Sequence, residues 1–147
     1  MLTLEYGEAM PAEARSGHGF PVFGSNGEVG RHRKFLIAGP GIVVGRKGSV
    51  GKVTWSDEPF WPIDTTYWVK CAPEDRRWIY WVLSWLPLAR LDSSTGVPGL
   101  NRNDVYALTV DRPISSERHK VAEILDTLDT AIHETEAIIA KLKAVKQ

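Results

Sequence analysis

Apolar and polar positions follow two different periods along this chain, and the change between them falls at Pro113. Ahead of it, short runs of β-branched and aromatic residues are broken by glycine, proline and asparagine. Phe20 to Phe23, Lys34 to Ala38, Ile42 to Val44, Lys52 to Trp55 and Thr66 to Lys70 read as strands. Asn26-Gly27, lying between the first two, predicts a tight hairpin turn. Pro73 suits the first turn of a helix, and Trp78, Trp81, Val82 and Trp85 follow at i, i+3, i+4 and i+7 as its buried face before Pro87 ends it. A loop rich in Ser, Gly, Asn and Pro covers Asp92 to Asp104, and Val105 to Val110 reads as a last strand.

Beyond Pro113 the period lengthens. Ser115 or Ser116 can cap a helix that meets no Gly or Pro before Gln147. Val121, Ile124, Leu128, Ala131, Ile138, Leu142 and Val145 fit alternating steps of three and four, with Thr135 as the polar interruption; Leu125, Ile132 and Ile139 widen the stripe. Acids crowd toward its start and Lys141, Lys143 and Lys146 toward its end, in the sense of the helix dipole. At about 1.5 Å per residue such a helix reaches roughly 45 Å, longer than a domain of the preceding size can cover. Part of it is expected to project, and nine large aliphatic side chains, about 1.5 to 3 kcal/mol each when fully buried, favour a second helix over the stripe. The competing reading is a terminal helix folded back on its own domain.

Composition adds little to the fold but changes the picture of the surface. The chain has 147 residues, 43% hydrophobic with six tryptophans, enough for one core without disulfides. Cys71 has no second cysteine to pair with and reads as a small buried residue. The longest apolar-rich run, Trp78 to Leu86, is about half a membrane span, and the first residues lack a secretory pattern, so a soluble cytoplasmic protein without membrane contact is expected. Acids and bases balance at 18 each, yet residues 15–52 carry Arg15, Arg31, Arg33, Lys34, Arg46, Lys47 and Lys52 against Glu28 alone. That segregation marks either an electrostatic footprint for a polyanion or an ordinary basic face.

The stretch GPGIVVGRKGSVGKV, residues 39–53, concentrates that charge among glycines. It fails the P-loop pattern, having Arg46 where a glycine is needed and Val53 where Ser or Thr is needed, and it fails the dinucleotide pattern at Val44. Strand, basic glycine loop, strand suits backbone amides and cations laid along an extended polyanion; a tight turn with ordinary surface charges is the plainer reading. His18, His32, His119 and His133 show no metal-ligand spacing, so no metal is expected. Asp64 with Lys70 resembles a nuclease carboxylate and lysine only in part, since a second acid is missing; a turn tying its own backbone explains Asp64-Thr65-Thr66 more simply.

Taken in order, VFGSNGEVG at 22–30, PGIVVGRKGSVGKV at 40–53, PFWPIDTTYWV at 59–69, STGVPGLNRNDV at 94–105, and Pro113 with Glu117 leading into the long helix resemble the target recognition domain and following helix of type I restriction-modification specificity (S) subunits. The resemblance implies an α+β fold: a small β-rich target recognition domain over residues 1–112 and one long C-terminal coiled-coil helix over 113–147. It implies a DNA-reading subunit that is not itself an enzyme. Members usually carry two such domains joined by antiparallel helices, each reading half of a bipartite site, and they dock restriction subunits and modification subunits that methylate adenine with S-adenosylmethionine. This chain holds one such unit, starts close to its first strand, and has Arg118 where Gln often follows the glutamate.

On the matching motifs, the expected DNA contacts are Ser25 and Asn26 in the hairpin turn, Arg46, Lys47, Ser49 and Lys52 in the glycine loop, and Thr95, Asn101, Arg102 and Asn103 in the late loop. Arginine can fork onto guanine and asparagine onto adenine, while lysine anchors phosphate. The expected homodimer interface is Val121, Ile124, Leu125, Leu128, Ile132, Ile138, Ile139, Leu142 and Val145. An antiparallel pair would hold two domains about 45 Å apart, or roughly 13 base pairs. No cofactor is expected on the chain itself, S-adenosylmethionine belonging to the modification subunit. Two other readings are an interaction scaffold descended from such a subunit but without DNA specificity, and a small metal-dependent nuclease using Asp64.

Overall fold

A computed structural model describes residues 2–92, 96 and 98–145, and the chain divides into two units, Met1–Asp111 and Arg112–Gln147. The first unit holds two sheets. One has strand order β1-β7-β4-β5 and is antiparallel throughout; the other has order β3-β2-β6, with β6 parallel to β2. The strands are β1 Leu2–Tyr6, β2 Phe20–Gly24, β3 Gly27–His32, β4 Gly41–Gly45, β5 Val53–Ser56, β6 Trp61–Pro62 and β7 Thr66–Cys71.

β4 reads GIVVG and is buried at every residue, as a continuous apolar run in a central strand should be. Its neighbours bring distant segments to its C-terminal end. Gly45 pairs with Thr66, Val44 with Tyr67, and Tyr67 in turn pairs with Tyr6 of β1. Phe23 of β2, Val43 and Phe60 form a buried cluster with Ile37 and Trp68 against it, and the rings of Phe23 and Phe60 meet edge to face at 5.8 Å.

Helix α1, Arg76–Trp85, buries Trp78, Ile79 and Leu83. Of the expected face only Trp78 is buried; Trp81 and Val82 are half-buried, and Trp85 is 79% exposed, because the helix ends at that residue and Leu86 leaves in extended conformation with no further turn to cover the indole. The strand expected at Val105 to Val110 is also corrected. Asn101 accepts the backbone N–H of Asn103 with its side-chain oxygen, an N-cap that starts the short helix α2, Arg102–Tyr106, and Val105 is buried as a helical residue. Capping overrides the β preference of Val105 and Tyr106.

Two further expectations change. The partner of β2 is β3, not Lys34 to Ala38, of which only Ile37 makes an isolated bridge, to Phe60. β3 was hidden in sequence because GEVGRH lies on the surface, carries two glycines and alternates poorly. β1, whose LTLEY alternates apolar and polar residues, adds an edge strand beyond those expected. The hairpin turn is confirmed one residue earlier than its strongest signal: Gly24 pairs with Gly27, leaving Ser25 and Asn26 as the two-residue loop, while Gly27 takes φ 118°.

The second unit is helix α3, Ser115–Val145. Ser115 lies inside the helix instead of capping it; the Glu117 carboxylate accepts the Ile114 N–H at 3.2 Å, half of a capping box. Arg118 donates to the Pro113 oxygen at 2.6 Å and its own N–H bonds Ile114, fixing the entry. Val121, Ile124, Leu128, Ile132, Ile138, Ile139, Leu142 and Val145 are between 41% and 85% exposed, and Leu125 is half-buried.

Candidate nucleic-acid interface

The glycine loop between β4 and β5 closes on itself. Gly45 N–H donates to the Lys52 oxygen and Gly51 N–H to the Gly45 oxygen, both at 2.8 Å. Gly48 and Gly51 adopt φ of 81° and 75°, which favours glycine, and a Cβ at Gly51 would stand 2.6 Å from the backbone nitrogen of Ala89. The β2–β3 turn is seated against this loop. A Cβ at Gly45 would strike the oxygens of Ser49 and Ser25, and one at Gly48 would come 3.3 Å from Ser25 Oγ. Lys52 ties the two turns together by donating from Nζ to the Asn26 main-chain oxygen at 2.7 Å and to its Oδ1 at 2.9 Å.

The turn before β7 supports the loop from the other side. Arg46 and Lys47 donate their backbone N–H groups to the Thr65 oxygen at 2.9 and 3.1 Å. The Arg46 guanidinium reaches the Asp64 main-chain oxygen through Nε at 3.1 Å and Nη2 at 2.5 Å. Thr66 Oγ1 donates to the Ile63 oxygen at 2.7 Å, so this turn ties its own backbone as its sequence suggested. Asp64 contributes a carbonyl here, and among the described residues no group of three or more His, Cys, Asp or Glu side chains is placed to hold a metal.

The late loop docks on the same end of the sheet. Lys47 bridges to Gly99, and Leu100 N–H donates to the Arg46 oxygen at 2.8 Å. The Tyr67 hydroxyl donates to the Leu100 oxygen at 2.9 Å, in a buried bond. Burial, reinforced by the neighbouring Tyr6, pushes the Tyr67 phenol above its usual value, with Arg46 and Arg102 pulling the other way. Arg102 donates to the Leu4 oxygen at 3.4 Å and Tyr106 Oη accepts the Leu4 N–H at 2.7 Å. Since β1 is an edge strand, these side chains of α2 satisfy the outward-facing main-chain groups of Leu4.

Two tyrosines absent from the sequence-based set stand at the centre of this array. Tyr6 and Tyr67 rings meet at 5.3 Å, and the guanidinium carbons of Arg46 and Arg102 each lie 5.1 Å from the Tyr6 centroid. Strand alternation in LTLEY would have placed Tyr6 on a sheet face; only the β1–β7 register reveals its partner.

Ser25, Asn26, Arg46, Lys47, Ser49, Lys52, Asn101, Arg102 and Asn103 thus gather from three separate segments onto adjoining turns at one end of the β unit. Thr95 lies outside the described residues. Asn26, Lys47, Lys52, Asn101 and Asn103 are exposed, whereas Ser25, Arg46, Ser49 and Arg102 are half-buried. Asn101 spends its side-chain oxygen on the α2 cap. Arg46 and Arg102 bond carbonyl oxygens, neutral acceptors that leave the guanidinium charge uncancelled. A surface of this kind presents fixed cations and amide groups on rigid turns, the functional groups with which proteins hold phosphates and base edges.

The architecture is that of a class: a two-sheet β unit with basic turns gathered at one end, followed by a single long helix. The chain belongs to the type I restriction modification DNA specificity domain family, whose model matches residues 2–144. Its fold is similar to that of the type I restriction-modification S subunit from M. genitalium, with a TM-score of 0.79 at 21% identity over 94% of this chain and 39% of that one. It is similar also to a chain of a type I R-M system solved for its complex assembly and conformational transition, with a TM-score of 0.73, 15% identity and coverage of 97% and 40%. The HsdS subunit from Thermoanaerobacter tengcongensis gives a TM-score of 0.66 at 14% identity, covering 93% of this chain and 37% of that one. The chain therefore spans about two fifths of the length of these solved chains. No curated protein matches it in sequence.

Proposed function

We propose that the β unit reads one half of a bipartite duplex DNA site for a type I restriction-modification complex, and that the chain itself is not an enzyme. Methylation of adenine with S-adenosylmethionine, and cleavage, fall to the modification and restriction subunits it docks in the cytoplasm. The observation that carries this reading is the convergence of Arg46, Lys47, Lys52 and Arg102 with Ser25, Asn26, Asn101 and Asn103 on adjoining turns of one end of the sheet. Family membership makes DNA the polyanion. The exposed apolar stripe of α3 supports pairing with a second copy, with Val121, Ile124, Leu125, Leu128, Ile132, Ile138, Ile139, Leu142 and Val145 across the seam.

Fluorescence anisotropy with a randomised duplex pool at low salt tests the reading directly. Binding is expected, with log affinity falling linearly in log salt and a slope of about −3 to −4 if each of the four cations meets a phosphate. Lys47→Ala, which removes an exposed cation, is expected to weaken all sequences alike and lower the slope by about one. Absence of binding to any duplex at low salt would overturn the proposal.

A further inference from the structure

The two arginines of this surface are held by one ring. Tyr6 ends β1 and is 51% exposed, so burial of its side chain is not what the core needs from it. Its ring carries Arg46 at 5.1 Å and Arg102 at 5.1 Å, and Arg46 also lies 5.9 Å from the Tyr67 centroid. Both guanidiniums carry the same charge, and the negative face of the aromatic ring attracts each of them while leaving their N–H groups directed by other bonds.

Those other bonds form a circuit. Arg46 is fixed to the Asp64 oxygen, and its own carbonyl receives Leu100 N–H. Leu100 carbonyl receives the Tyr67 hydroxyl, the Tyr67 ring meets Tyr6 in a tilted contact at 50°, and Tyr6 carries Arg102, which reaches back to Leu4. The glycine loop and α2, separated by about a third of the chain, thereby share one reference point on β1.

We propose that Tyr6 is a positioning residue for sequence discrimination: its ring sets Arg46 and Arg102 in register with each other, so that both meet the duplex in one geometry. This rests on the DNA reading given above. It assigns Tyr6 no contact with a base; the tyrosine acts through the arginines. Affinity for arbitrary DNA depends on the charges, which survive loss of the ring. Preference for one sequence depends on where those charges point.

The test uses the whole chain as wild type, Tyr6→Phe and Tyr6→Leu. Each is put through selection on a randomised duplex pool, and affinities are then measured for the most enriched wild-type duplex and for a scrambled one. Tyr6→Phe keeps the ring and is expected to keep the wild-type ratio of the two affinities. Tyr6→Leu is expected to lower that ratio about five- to thirtyfold, two exposed cation–aromatic contacts' worth, with the scrambled-duplex affinity and its salt slope close to wild type and the thermal midpoint lowered by only about a few degrees. A Tyr6→Leu protein that keeps the wild-type ratio overturns the proposal and leaves the DNA reading standing. So does one that loses specific and scrambled binding by the same factor, since that marks a general structural loss. A wild-type chain that binds no duplex at low salt overturns the DNA reading itself, and the role of Tyr6 with it.

Discussion

Lys52 Nζ and Asn26 are joined twice, through the main-chain oxygen at 2.7 Å and the side-chain Oδ1 at 2.9 Å. The pair fastens the hairpin turn to the glycine loop, two segments that otherwise meet through glycine faces. In the proposed DNA complex the lysine would enter with its ammonium already oriented, sharing its donors between the turn and a phosphate. Lys52→Ala and Asn26→Ala in a double-mutant cycle should show a coupling of about 0.5–1 kcal/mol in thermal unfolding, the scale of an exposed charge-assisted hydrogen bond. In duplex binding Lys52→Ala should cost more than Asn26→Ala, because it also removes a charge.

Removal of the Tyr67 hydroxyl tests the buried link to the late loop. Tyr67→Phe leaves the Leu100 oxygen without its buried donor, which should cost about 1–3 kcal/mol in a denaturant melt. The pH dependence has a defined sign. The folded phenol is raised above its unfolded value near 10, so its contribution is complete below that value and is lost as pH rises through the folded pKa. The wild type should therefore lose stability in alkali more steeply than Tyr67→Phe, measured by unfolding at successive pH values.

The contrast between these two pairs shows what the sequence made legible. The turn at Ser25-Asn26, the buried run of β4 and the basic glycine loop are local patterns, and each was readable from adjacent residues. The Asx-capped start of α2 was local too, but β-branched Val105 and the aromatic Tyr106 masked it, and the exposed Trp85 depends on where α1 stops. Tyr6 and Tyr67 were not readable at all, because their partnership is a matter of strand register between the first strand of the chain and the last of its sheet. The site residues could be nominated one loop at a time; their common support could not.

Glycine substitutions separate backbone strain from collision. Gly17 and Gly51 share nearly the same φ, 76° and 75°, but a Cβ at Gly17 meets nothing within 4 Å whereas one at Gly51 runs into the backbone of Leu88 and Ala89. Gly17→Ala should cost about 1 kcal/mol from conformation alone. Gly51→Ala should cost at least about 2 kcal/mol more, since backbone cannot step aside as a flexible side chain can. Chemical denaturation of the two variants checks the difference, and only Gly51→Ala is expected to weaken duplex binding.

The helix stripe makes its prediction through what should not change. Leu128 and Ile132 are 55% and 56% exposed in the single chain, so replacing either with glutamate removes little that the isolated chain has buried. If a second copy covers the stripe, the same change places a charge in an apolar seam, where an unpaired carboxylate costs several kcal/mol. Sedimentation equilibrium of the wild type should thus give a dimer at micromolar concentration, and Leu128→Glu a monomer, while circular dichroism of the β unit stays the same. The thermal midpoint should depend on concentration for the wild type and not for Leu128→Glu, because association stabilises only the paired state. A wild-type chain that sediments as a monomer throughout, with a concentration-independent midpoint, would leave the stripe to some other long helix and rule out the twofold arrangement of two reading units.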